Sequence, residues 1–146
     1  MSIKNIDIKL IHLFRRFSVP VARFGLFVVF FWFGVLKVIG LSPASALVQS
    51  LFQQTVPWMQ FSTFLVLFGL FECLIGILFL IRGFERVVIP FLFIHMITTF
   101  LPLFVVPEET WSGFMVPTLE GQYIIKNLFI IATAMSIASR LHPIKK

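Results

Sequence analysis

The sequence predicts an all-α fold: an integral membrane four-helix antiparallel bundle preceded by an N-terminal interfacial amphipathic helix. Three observations predict it. Of 146 residues, 59% are hydrophobic and only 12% charged, against roughly 45–50% apolar in a soluble domain, and the mean hydropathy is +1.02. The apolar residues fall into four runs near the length of about 20 residues that crosses a bilayer. Lysine and arginine collect at one set of the runs' ends and are missing from the other. This length leaves room for a single membrane domain, 1–146, and none for a separate soluble catalytic domain.

From the N-terminus, Ile3, Ile6, Leu10, Leu13, Phe14 and Phe17 share one helical face, with Asn5, Lys9, His12 and Arg16 opposite. That is the pattern of a helix lying on a membrane surface, placed over 1–17. Ser18 and Pro20 supply a cap and a first-turn proline for a new helix. The first span covers about 21–41. It is too long for the 7–15-residue apolar core of a signal peptide and contains Lys37, so it reads as retained. Pro43 to Gln54, uncharged, with Leu47, Val48, Leu51 and Phe52 on one side and Ser42 as cap, predicts a short interfacial helix. The remaining spans cover about 61–81, 87–106 and 123–139. Trp58 and Trp111 stand where interfacial aromatic anchors are expected.

Lys4, Lys9, Arg15, Arg16 and Arg23 precede the first span, Arg82 and Arg86 separate the second from the third, and Arg140, Lys145 and Lys146 follow the fourth. The other two connections contain no Lys or Arg, and the second carries Glu108, Glu109 and Glu120. The positive-inside rule then sets both termini on the cytoplasmic side of a cytoplasmic (inner) membrane. The net charge of +6 thus reports topology and contact with anionic lipid, not a nucleic-acid surface, which needs its basic residues on one exposed face. Cys73, the single cysteine, excludes an intramolecular disulfide and a thiolate metal cage, and inside an apolar run it reads as a packing residue.

Ionisable side chains at the centre of a membrane helix cost about 2.5–3.5 kcal/mol on insertion scales, so each needs a reason. Lys37, Glu72, His95 and Lys126 stand out. Measured from the cytoplasmic edge by the helical rise, their depths are about 24, 14, 12 and 20 Å. Glu72 shares a stripe with Gly69 and Gly76, and Lys37 follows Gly34 by three residues; small residues at these spacings let a second helix approach closely and turn the charges inward. Pro102 frees the carbonyl of Thr98 as an acceptor at the level of the two lysines. The blander readings are that both lysines snorkel to headgroups, that Thr118 and Glu120 cap the fourth span, and that His95 is a hydrogen-bonded core residue. A haem at His95 lacks a second axial ligand within the spans, no metal cluster is spaced for binding, and no nucleophile or phosphate-loop motif occurs.

These residues bring a family into view. Trp32-Phe33-Gly34-Val35-Leu36-Lys37 with Leu41-Ser42-Pro43-Ala44, then His95-Met96 with Thr99-Phe100-Leu101-Pro102, then Pro117-Thr118-Leu119-Glu120-Gly121-Gln122-Tyr123-Ile124-Ile125-Lys126-Asn127, resemble recurrent segments of the DoxX-like family of small four-helix membrane proteins. The resemblance covers about 18–139, and its last segment is the most specific. It implies a four-helix bundle and little about activity. Named relatives include a small subunit of a thiosulfate:quinone oxidoreductase and membrane proteins of reactive-chlorine resistance, whereas this chain has no redox cysteine pair.

The resulting expectation is a membrane bundle, without catalytic activity of its own, that binds a small hydrophobic or anionic ligand (a quinone, a lipid or a small anion). The candidate ligand-binding residues are Lys37, Glu72, His95, Lys126, Glu120, Thr99, Tyr123 and Asn127. In this reading Lys126 and Glu72 share one outward-opening cavity with Lys37, and Glu120 guards its mouth. Membrane lipid is the expected surrounding, with a homo-oligomer or a redox-complex partner as possible company. The alternatives are a membrane subunit that docks quinone for a separate redox protein, and a structural or stress-resistance component whose polar residues only lock the helices.

Overall fold

The computed structural model describes residues 3–143, so Lys145 and Lys146, counted above in the charge asymmetry, lie outside the described residues. The chain is mostly helical: α1 (Ile3–Val38), α2 (Ser45–Thr55), α3 (Phe61–Leu80), α4 (Glu85–Phe100), α5 (Pro102–Val105), α6 (Pro107–Thr110), a two-residue-loop ribbon of β1 (Trp111–Gly113) and β2 (Val116–Pro117), then α7 (Leu119–Lys126) and α8 (Leu128–Ala138). Among the described residues four helical stretches are long and apolar enough to cross a membrane: α1, α3, Glu85–Val105 and Leu119–Ala138.

The first element departs from the sequence reading. Instead of an interfacial helix, a break at Ser18 to Pro20 and a separate span, α1 runs unbroken for 36 residues with Pro20 inside it. Its length of about 54 Å exceeds the roughly 30 Å of a hydrocarbon core. Proline within a helix removes one backbone bond and crowds the preceding turn, yet α1 continues through Pro20. Residues Ile3 to Ser18 are all exposed.

Three other boundaries shift for local reasons. α2 starts at Ser45, and the Ser42 hydroxyl accepts from the Ala44 N–H (3.3 Å) one turn upstream. α4 ends at Phe100 because Pro102 has no N–H to give Thr98, and the proline instead opens α5. The fourth stretch begins earlier than Tyr123: Thr118 caps α7 by accepting from the Gly121 N–H (3.2 Å), and the helix tightens at Asn127, whose N–H bonds back to Ile124 (3.0 Å) before α8 continues. The ribbon, absent from the sequence reading, turns through Met115 with φ of 59°.

Packing starts from α1 and α3. The buried face of α1 is Arg23, Leu26, Phe30, Gly34 and Lys37; that of α3 is Leu65, Gly69, Glu72, Ile75, Gly76 and Phe79. A Cβ placed on Gly34 or Gly69 would stand 2.6 Å from the other's carbonyl oxygen, and one on Gly76 would stand 2.8 Å from the Phe31 nitrogen. Backbone therefore touches backbone along this pair, the close approach that the small-residue spacing predicts. Val88, Leu92 and Met96 of α4 and Ala134 and Ile137 of α8 complete the buried core. The outward faces stay apolar, with Leu67, Leu70, Leu74 and Ile77 of α3 exposed.

Candidate functional site

Three elements deliver one cluster. Lys37 arrives on the last turn of α1, on the same face as Gly34; Glu72 lies midway along α3, between Gly69 and Gly76; His95 comes from α4. Because the glycines bring α1 and α3 together, the Lys37 ammonium donates to Glu72 Oε2 at 2.6 Å. The other carboxylate oxygen, Oε1, lies 3.0 Å from His95 Nε2. All three residues are almost fully buried, at 6%, 5% and 4% exposure. Pairing is what makes such burial tolerable, since a lone charge in this setting costs far more than a compensated pair.

Aromatic rings wall the cluster. Phe68 stacks on the His95 imidazole with ring centres 5.0 Å apart and planes 11° from parallel, and Phe30 meets it edge-on at 5.3 Å. The Lys37 ammonium also lies 5.7 Å from the Phe68 ring centre, within cation–π range. Among the described residues its hydrogen-bond acceptor is Glu72 alone, so two of its three N–H donors remain unused.

Thr99, one turn beyond His95, extends the hydrogen-bond chain at the other ring nitrogen. Its hydroxyl oxygen is 3.1 Å from His95 Nδ1 and 3.0 Å from the His95 carbonyl, an acceptor that Thr98 also reaches at 2.7 Å. With the hydroxyl hydrogen turned to Nδ1, the imidazole is neutral and its Nε2–H donates to Glu72. With that hydrogen turned to the carbonyl, the threonine oxygen accepts from Nδ1–H. Nε2 then either donates as part of an imidazolium or accepts from a protonated Glu72. Either ring nitrogen of His95 can thus carry the hydrogen with the heavy atoms in the same places.

The remaining candidates stand apart. Lys126 is exposed, and its ammonium lies 5.2 Å from the ring centre of Tyr123, itself exposed. The expected coupling of Lys126 to Glu72 is therefore corrected: both Glu72 oxygens are taken by Lys37 and His95, and α7 directs Lys126 to the outside. Neither lysine bonds to the freed Thr98 carbonyl among the described residues. Glu120 is exposed in the first turn of α7, where a carboxylate favours the helix N-terminus, and Asn127 sits half-buried at the α7–α8 junction. Of the surface recesses, one of about 320 Å³ is walled by Phe93, Met96, Phe100 and Ile131 and another of about 430 Å³ lies beside Arg23; neither of these is lined by Lys37, Glu72 or His95.

A second buried ion pair escapes the sequence reading, which counts Arg23 only as a topology signal. Arg23 is 8% exposed; its Nε donates to the Phe79 carbonyl at 2.7 Å and its Nη1 to Glu85. It thereby caps an unsatisfied carbonyl at the C-terminus of α3 and ties it to the first turn of α4. The signal is present: Arg23, Phe30 and Lys37 are spaced by seven, so Arg23 shares the buried face of Lys37 two heptads earlier.

No family model matches the chain, and no curated protein and no solved structure matches it.

Proposed function

We propose that this chain is a multi-pass protein of the cytoplasmic membrane, an antiparallel four-helix bundle with both termini cytoplasmic, that binds the polar head of a small hydrophobic molecule of quinone type at Lys37, Glu72 and His95. The observation that carries the reading is the meeting of Lys37 of α1 and His95 of α4 on the one buried carboxylate of Glu72 in α3, with unused donors on Lys37. A carbonyl or anionic head accepts from that ammonium, Glu72 and His95 take up or supply a proton, and a planar ring takes the stacking place that Phe68 occupies against His95. Four apolar stretches, exposed leucines and isoleucines around α3, and Lys and Arg confined to alternate connections support the membrane placement. The resemblance to DoxX-like proteins agrees with it and names no ligand.

The topology is tested by replacing Cys73 with alanine and adding single cysteines at Asn5, Ser139 and Ser112. In intact cells an impermeant thiol reagent labels position 112 and spares 5 and 139; the reverse pattern overturns the orientation.

The ligand is tested by mass spectrometry of small molecules extracted from protein purified in native-lipid discs. Wild type is expected to release a hydrophobic molecule with a carbonyl or acidic head, and Lys37→Met to lose it at least tenfold while the protein stays folded. Equal recovery from both proteins, or none from either, sinks the ligand reading. One observation favours the alternative that the cluster only locks helices together: its three residues are 4–6% exposed, and they line neither of the two recesses above. Under that alternative Lys37→Met together with Glu72→Gln keeps all cellular activity.

A further inference from the structure

The recess of about 430 Å³ beside Arg23 is lined by Val19, Pro20, Arg23, Leu80, Arg82 and Glu85, between α1 and the α3–α4 turn. Its charges are unequal. Each oxygen of Glu85 has a partner, Oε1 in Arg23 and Oε2 in the Gly83 N–H at 2.7 Å. Not every nitrogen of Arg23 has one: with Nε on the Phe79 carbonyl and Nη1 on Glu85, its Nη2 is buried and has no hydrogen-bond partner among the described residues. A buried guanidinium nitrogen without an acceptor bears its desolvation cost with nothing in return, which favours an acceptor from outside the chain. Arg82, on the same wall, is exposed and makes no ion pair among the described residues.

We propose that this recess binds a phosphate group, presented by an anionic phospholipid, with the Arg23 guanidinium and Arg82 as its donors. Two guanidinium groups match a phosphate's oxygens in geometry and charge. Glu85 neutralises one of the two positive charges and leaves the recess with the single excess charge that suits a phosphodiester. Val19, Pro20 and Leu80 give the glycerol and upper acyl chain an apolar wall. In the membrane reading, basic residues at this level of the bundle face the anionic leaflet, which attracts them. The site rests on the membrane reading above and is independent of the Lys37 cluster, about 21 Å further along α1.

The test measures lipid retention by native mass spectrometry from micelles supplied with phosphatidylglycerol or phosphatidylcholine. Millimolar inorganic phosphate is added to a parallel set. Wild type is expected to hold one phosphatidylglycerol against detergent and no phosphatidylcholine. Arg82→Gln, at an exposed position outside the packed core, is expected to weaken that retention about tenfold, the loss of one charged hydrogen bond. A variant with Lys4, Lys9, Arg15 and Arg16 all changed to Gln keeps the lipid, which separates the recess from the general basic N-terminus. Lys37→Met also keeps it, so failure of the ligand reading leaves this result untouched. Competition by inorganic phosphate with matching affinity assigns the site to free phosphate instead of lipid. Retention that is equal in wild type and Arg82→Gln, or lost with the N-terminal variant, overturns the proposal.

Discussion

Glu72→Gln is expected to lower stability by about 3–5 kcal/mol, the typical cost of breaking a buried ion pair from one side, which for a chain of this size lowers the melting temperature by on the order of 10 °C. The change leaves Lys37 charged at 6% exposure with a neutral amide as its only partner. Adding Lys37→Met to Glu72→Gln removes the stranded charge and is expected to restore most of the loss, because replacing both partners of a buried pair is far less harmful than removing one. His95 then keeps an amide partner at the place of Oε1. The measurement is thermal unfolding of the two single variants and the double variant in the same detergent. The coupling energy between positions 37 and 72 is expected to exceed 2 kcal/mol, within the range found for residues in one polar network, about 0.5–3 kcal/mol. Additive losses would show that the lysine and the glutamate are held independently, against the geometry of a 2.6 Å contact. Lys126→Met serves as the contrast. Its exposed ammonium over Tyr123 contributes about 0.5–1 kcal/mol at most, and no coupling to Glu72 is expected.

Gly69→Ala is expected to destabilise the bundle by about 3 kcal/mol, the upper part of the overpacking range. The added methyl would lie 2.6 Å from the Gly34 carbonyl oxygen and 2.9 Å from the Lys37 Cβ. Neither obstacle is a flexible side-chain end, so the two helices must separate. That separation also lengthens the Lys37–Glu72 contact. Gly69→Ala should therefore reproduce part of the Glu72→Gln defect although position 69 bears no charge. Gly25→Ala is the control, with nothing within 4 Å of its added Cβ. There alanine is expected to be neutral or to stabilise by about 0.5 kcal/mol through helix propensity. Urea-free thermal melts and the yield of monodisperse protein separate the two cases; equal behaviour at positions 25 and 69 would mean that α1 and α3 do not touch through their backbones.

Much of this molecule was legible in its sequence, and for a definite reason. The four apolar stretches follow from composition and length, because hydrocarbon demands about 20 residues whatever their order. The α1–α3 approach follows from Gly34, Gly69 and Gly76, since spacing along one helix face is a property of that helix alone. The inward turn of Lys37, Glu72 and His95 is the one expected of ionisable groups on helices long and apolar enough to cross a membrane.

Partner choice was not legible. Lys37 and Lys126 have similar depths along their own helices, and depth alone does not tell which one meets Glu72. The answer depends on how each helix is rotated, and one residue of rotation is about 100°, enough to turn a side chain from core to exterior. Tertiary packing turns Lys37 to Glu72 and Lys126 outward against Tyr123. The same holds for Arg23, which meets Glu85 only because the α3–α4 turn folds back over α1. Pro20 shows the converse: a residue with a local preference for a helix start lies inside α1, which continues through it. Composition and periodicity thus determined the elements, their apolar length and the set of buried charges. Only the relative rotation and register of the helices, which no single segment encodes, decided which charges touch.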